Sequence, residues 1–136
     1  MAPDGGLYVP EILPNITSLI RPKPIPYAEL ATCFFRLFND EHPLEEIEAL
    51  MTRSHSTFID PVNPAPLVQI AENTFVLELF HGPTLAFKDF GLQLVGNLFE
   101  DQISRTGMPV NVLGATSGDT GSAAIHGLAG KNGARV

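Results

Sequence analysis

Tryptophan is absent from these 136 residues, and cysteine occurs once. A lone Cys33 has no partner within the chain, so an internal disulfide frame is excluded and a reducing, cytoplasmic setting is expected. It lies in the apolar run Ala31-Thr32-Cys33-Phe34-Phe35, the place of a buried inert thiol rather than a nucleophile. Positive charge is scarce. Eight Lys and Arg against fifteen Asp and Glu give a formal net charge of -7. Nucleic acid and anionic membrane both need a basic face, so neither is an expected partner. No apolar run is long enough to span a bilayer. The opening Met1-Ala2-Pro3-Asp4-Gly5-Gly6 has no basic segment followed by an apolar one, so no secretory signal is read there. The four histidines, His42, His55, His81 and His126, are too widely spaced for a local metal motif, and no cysteine pair joins them.

What is present describes an ordinary globular chain: 44% hydrophobic and 17% charged residues, in a length that can bury one core. Proline and glycine punctuate it. Residues 1–26 read as an extended arm with one short helical turn near Pro14 to Leu19. Tyr27 to Asn39 is predicted helical, because Leu30, Phe34, Leu37 and Phe38 recur on one face. A second helix is predicted from Leu44 to about Arg53, with Pro43 at its start and Glu45, Glu46 and Glu48 near its positive end. Pro61, Pro64 and Pro66 then mark a boundary. Residues 1–60 form an arm and helical segment on this reading, and residues 61–136 begin a second, α/β domain.

In that second part, Leu67 to Glu72 and Thr74 to Phe80 are predicted as strands of a hairpin turning near Glu72-Asn73. A long helix opens at Lys88 or Asp89 and runs to about Ser104. Phe90, Leu94, Val95, Leu98 and Ile103 line one side of it, and Gly107 stops it. Val110 to Leu113 reads as a buried parallel strand. Ser122 to Lys131 is a helix, and Ala134-Arg135-Val136 looks like the first residues of another strand. Helices and strands alternate at crossover spacing. The expected fold class is therefore α/β, a partial three-layer domain with a mostly parallel sheet, and the chain is expected to be a truncated piece of it.

Two loops offer chemistry. Gly114-Ala115-Thr116-Ser117-Gly118-Asp119-Thr120-Gly121 joins a strand to a helix. Its small residues let a ligand approach, and the helix start presents free N–H groups to an anion. Its glycine spacing matches neither a Walker loop nor the dinucleotide fingerprint; a plain capped turn is the alternative. The other loop leads into Lys88, among apolar Leu85, Ala86, Phe87 and Phe90. A lysine at a helix start, if buried, is pushed toward the neutral amine that imine formation with an aldehyde requires. Asp89 beside it would oppose this, and a solvated lysine is the alternative. His81, nearest in sequence, is a candidate for positioning this loop.

The run His81-Gly82-Pro83-Thr84-Leu85-Ala86-Phe87-Lys88-Asp89-Phe90 resembles the cofactor-lysine segment of threonine synthases. Ala115-Thr116-Ser117-Gly118-Asp119-Thr120-Gly121-Ser122-Ala123-Ala124 resembles the loop that follows it in those enzymes. Asp4-Gly5-Gly6-Leu7-Tyr8-Val9-Pro10 is similar to their amino-terminal arm. The resemblance implies a pyridoxal 5'-phosphate enzyme of the tryptophan-synthase-β-like group, which converts O-phospho-L-homoserine and water to L-threonine and phosphate. It implies that Lys88 bonds the cofactor and moves protons at the substrate. Thr116, Ser117 and Thr120 would hold the substrate carboxylate or lie beside the cofactor ring. Asp119 stands where much of the wider group has Asn, facing the ring's phenolic oxygen; there it is protonated or acts through an intervening group. The phosphate-binding loop and the ring-nitrogen partner of that group lie later than these residues, so the chain alone is expected to be inactive. Serine or threonine dehydration, β-replacement, and a silent ligand-binding relative are the competing readings.

Overall fold

The computed structural model describes residues 2–20 and 22–136. The described residues of the arm are extended apart from a 3-10 turn at Thr17–Leu19. Helix α1, Tyr27–Arg36, starts behind Pro26. Its first N–H has no intrahelical partner and finds the Val62 carbonyl at 3.2 Å instead. It ends three residues before the predicted Asn39. There Leu37, Phe38 and Asn39 each donate to the carbonyl three residues back, tightening the chain out of the α-helix. The Asn39 side chain then receives the His42 N–H at 3.1 Å.

Helix α2, Leu44–His55, opens behind Pro43 with Glu45 and Glu46 in its first turn and closes with Arg53 and His55 in its last. Both ends complement the helix dipole. It supplies the buried centre of the fold: Ile47, Leu50 and Met51, packed by Ala28, Ala31 and Phe35 from α1 and by Leu94 and Leu98 from the later helix α3. The core therefore draws on both sides of residue 60. Arg53 bonds Asp101 at 2.8 Å and Arg105 pairs with Glu46, adding polar ties between α2 and α3.

His55 is 3% exposed. Its Nδ1 donates to the Met51 carbonyl at 2.8 Å. The ring is caged by Tyr27, Phe58 and Phe90, with centroids 4.7, 5.4 and 6.1 Å away. Burial pulls its pKa below the ordinary imidazole value, and the Met51 hydrogen bond offsets only part of that. Cys33 is half-buried rather than buried, because its side of α1 faces a shallow cleft lined by Ala28, Leu44 and Glu48.

Strands β1, Leu67–Ala71, and β2, Thr74–Leu77, form the predicted antiparallel hairpin. Asn73 makes its turn at φ 57, a conformation asparagine tolerates. Every residue of both strands is exposed. Helix α3, Asp89–Thr106, stops at Gly107 in the left-handed region, φ 69, whose N–H returns to Ile103 at 2.7 Å. Strand β3, Val110–Asn111, pairs in parallel with β4, Ala134–Arg135, across helix α4, Asp119–Leu128. This is a β-α-β crossover, as the alternation of elements predicts. The chain is of the α/β class. Among the described residues the strands form two separate two-stranded sheets, one antiparallel and one parallel. No described helix is long and apolar enough to cross a membrane.

Candidate active site

Lys88 immediately precedes α3 and already has helical backbone angles, φ -66 and ψ -16. The loop before it turns back on itself. The Leu85 N–H donates to Gly82 at 3.1 Å, and the Asp89 N–H to Ala86 at 3.0 Å. Leu85 takes φ 60, which costs energy for any side chain with a Cβ. Asp89 is 0% exposed. Its carboxylate accepts the Thr84 N–H at 2.9 Å and the Thr84 hydroxyl at 2.7 Å. Gly82 makes room for this, since a Cβ there would sit 2.5 Å from the carboxylate oxygen. His81 lies at the loop's entry. Its Nε2 is 2.7 Å from Glu78, and its carbonyl accepts the Ile59 N–H at 3.0 Å.

The second loop is organised by one hydroxyl. Thr116 Oγ1 accepts the N–H groups of Gly121 at 2.9 Å and Gly118 at 3.3 Å. A Cβ at Gly121 would stand 2.6 Å from that oxygen. This cap starts α4 at Asp119, three residues earlier than the predicted Ser122. The helix ends at Leu128, where Ala129 turns to extended backbone, three residues before the predicted Lys131.

The two loops meet because α3 and α4 cross closely. A Cβ on Gly96 would overlap the carbonyl oxygen of Gly127, and one on Gly127 would overlap the Leu92 carbonyl. Only glycine fits at either crossing point. That approach brings Lys88 Nζ to the Thr120 hydroxyl, to which it donates. Nζ also lies 5.8 Å from the centre of the Phe87 ring. No ion pair joins Lys88 to a carboxylate among the described residues.

Of the residues picked out in the sequence, Lys88 and Thr120 are therefore in direct contact. Thr116 faces its own loop. Ser117 and Asp119 are exposed on the loop and first turn of α4. Asp89, expected to oppose a neutral lysine, is turned away to Thr84. Sequence reasoning missed Gly82, Thr84, Gly96 and Gly127. The available signal was glycine inside two helical patterns, where it costs about 1 kcal/mol and calls for a packing reason.

Comparison with known proteins gives one consistent neighbourhood. The family model described as threonine synthase N terminus matches residues 1–55. That span covers the arm, α1 and α2 but not the lysine. A threonine synthase of Saccharomyces cerevisiae is 46% identical over 96% of this chain. A yeast threonine synthase structure superposes with a TM-score of 0.89 at 43% identity, covering 98% of this chain. A threonine synthase from Brucella melitensis, solved with PLP bound, gives 0.87 at 39% identity over 97% of it. The chain spans 29% of the length of the Saccharomyces relative and 30% and 29% of the two solved chains.

Proposed function

We propose that this chain, which belongs with the threonine synthases by sequence and by fold, contributes the lysine-bearing part of an enzyme that converts O-phospho-L-homoserine and water to L-threonine and phosphate. The observation that carries the reading is the meeting of Lys88 with Thr120 where two helix starts converge. The donor set fits pyridoxal 5'-phosphate. A half-buried primary amine is hydrogen-bonded to a neutral hydroxyl, and helix-start N–H groups beside it favour anions. When bound, that cofactor supplies an electron sink for carbanions formed beside the substrate nitrogen.

The chain's own residues do the rest. Lys88 Nζ bonds the cofactor and carries protons to and from substrate carbon. The Thr120 hydroxyl both accepts and donates, so it can hold that nitrogen in either protonation state. Ser117 and the free N–H groups at the start of α4 receive the substrate carboxylate, and Thr116 holds their loop in shape. Asp119, exposed in the first turn of α4, would meet the cofactor ring either protonated or through an intervening group. The lone Cys33 and the acidic balance fit a cytoplasmic enzyme.

Lys88 is one of three lysines, with Lys23 and Lys131. Borohydride trapping of added pyridoxal phosphate, mapped by mass spectrometry, should mark Lys88 above the other two. Lys88→Ala and Lys88→Arg should reduce trapping to background, since guanidinium offers no free amine. Equal marking of Lys23 and Lys131 would remove Lys88 from the role. The relatives carry most of their length outside the matched region. The 136-residue chain alone is accordingly expected to bind the cofactor weakly and to release no phosphate from O-phospho-L-homoserine. An absorbance titration beside a phosphate-release assay checks both points.

A further inference from the structure

The residue next to the lysine has a carboxylate that the proposed chemistry does not use. Asp89 is 0% exposed, yet it neither pairs with Lys88 nor faces the Thr120 side. It points back along the chain to Thr84, and both of its oxygens are engaged there, at 2.9 and 2.7 Å. Burying a carboxylate is costly unless it is hydrogen-bonded, and two donors from one residue satisfy it in a fixed direction. The same turn contains Leu85 at φ 60, a residue 67% exposed. A leucine held in that region with its apolar side chain in water would relax unless something closed the turn over it.

The closing element is the carboxylate. Its seat exists because position 82 lacks a Cβ. Gly82, Thr84 and Asp89 thus form one mechanical unit, a ring of hydrogen bonds around a strained turn that ends at Lys88. Two residues further on, Phe90 packs at a tilt against Tyr27, Phe58 and His55, so the first turn of α3 is anchored on its other side. Between clasp and anchor the Lys88 backbone has little freedom, and its side chain is aimed at Thr120.

We propose that Asp89 is a positioning residue. By clasping Thr84 it holds the strained turn at Leu85, and so fixes where Lys88 Nζ meets Thr120. This rests on the reading of Lys88 as the cofactor lysine. It adds that a buried acid, acting through backbone geometry, presents that lysine.

The test uses the 136-residue chain by NMR, with the cross-peak between the Lys88 ε-methylene and the Thr120 methyl as the readout. A residue that only stabilised the fold would not move that signal in a variant that stays folded. Asp89→Ala should lose the cross-peak and speed exchange of the Thr84 amide about tenfold or more. Thr84→Val, which removes only the hydroxyl, should weaken the cross-peak. Thr84→Ser and Asp89→Asn should keep it, because the serine hydroxyl and the Asn side chain can both rebuild the clasp. A cross-peak that persists unchanged in folded Asp89→Ala or folded Thr84→Val would overturn the proposal. So would its absence from the parent chain. Should Asp89→Ala not fold, Thr84→Val decides alone. If the variants behave as expected but borohydride trapping shows no preference for Lys88, the cofactor reading fails and the positioning role stands.

Discussion

The loops that open α3 and α4 carry the same kinds of residue and are built in opposite ways. The α3 loop is closed from within: a fully buried acid, two hydrogen bonds to Thr84 and a glycine that makes room for them. Its helix lies between α2 and α4. The α4 loop leans on a single hydroxyl, that of Thr116, and leaves Ser117 and Asp119 in solvent. Its helix is packed by α3 on one side, while Ile125 stands 57% exposed on the other and Leu113, before the loop, is fully exposed. The first loop is set by its own contacts. The second has room to be shaped by what binds it. A lysine that must meet a cofactor at one fixed place suits the first construction, and hydroxyls that receive an anion suit the second.

The strongest way to break this pairing is at the crossing that joins the two loops. Gly96→Ala puts a methyl onto the Gly127 carbonyl, and backbone cannot yield as a side-chain tip can. The cost should be about 1–3 kcal/mol or more, read as a lower urea midpoint. The Lys88–Thr120 contact should be lost while the Thr84 amide stays protected, because the clasp lies wholly within one loop. Loss of both together would show that the α3 loop depends on α4 after all.

Thr116→Val is the next test and acts on one loop only. It removes the acceptor for the Gly118 and Gly121 N–H groups. Losing such a cap should cost about 1 kcal/mol and fray the first turn of α4. Thr84 amide exchange should not change. A frayed α4 start would also weaken the Lys88 contact through Thr120, and hydrogen exchange can follow both loops in one experiment.

Much of this was legible in the sequence, and the rest was hidden for definable reasons. Helix periodicity located α1 and α3, Pro43 and the acidic first turn located α2, and Gly107 marked the stop of α3, because those signals are local. The motif resemblance singled out Lys88 and Thr120. It could not say that they touch, since that depends on a glycine-to-glycine crossing between helices. The direction of the Asp89 side chain was also unreadable. Adjacency to Lys88 suggested an electrostatic partner, but consecutive residues at a helix start point apart, and the carboxylate follows the turn behind it. The early start of α4 was missed because its cap, Thr116, reaches five residues ahead to Gly121, outside the usual capping spacing. Both faces of the β1–β2 hairpin are exposed, so alternation of its residues could not identify an inner face.

Acid should separate the two regions further. His55 is buried against Phe90 in the first turn of α3, and its pKa lies below the ordinary imidazole value, chiefly through burial. The unfolded chain then takes up a proton before the folded one does, so stability is full above about pH 6.5 and falls as the pH drops below it. The loss should appear first around α1, α2 and the lysine loop. Urea midpoints between pH 8 and 5 would show it, and His55→Phe should flatten the slope. A slope unchanged in that variant would point to another group.

The smallest effect is expected at the far end of α3, where Glu100 and Lys131 tie that helix to the segment after α4 at 3.0 Å. Burial pushes the Glu100 carboxyl up. The hydrogen bond and charge of Lys131, the Asn132 N–H and the charge of Arg53 outweigh it, so the net shift is downward. A lowered carboxylate pKa means stability that is present above the unfolded value, about 4.3, and lost as the pH falls through the folded one. The pair is partly exposed, at 22% and 33% of the side chains, so solvent screening keeps its worth to about 0–1 kcal/mol. Lys131 also donates to the buried Asn97 at 2.6 Å, and Lys131→Met would confound the two bonds. Glu100→Gln isolates the charge. It should lower the urea midpoint slightly at pH 7 and not at pH 3, with faster amide exchange confined to the end of α4 and the turn before β4. The His55 region should be untouched by this substitution and should loosen at a higher pH than the Glu100 tie does. If acid instead released the α4 end first, the first loss of stability would belong to the Glu100 tie and not to His55.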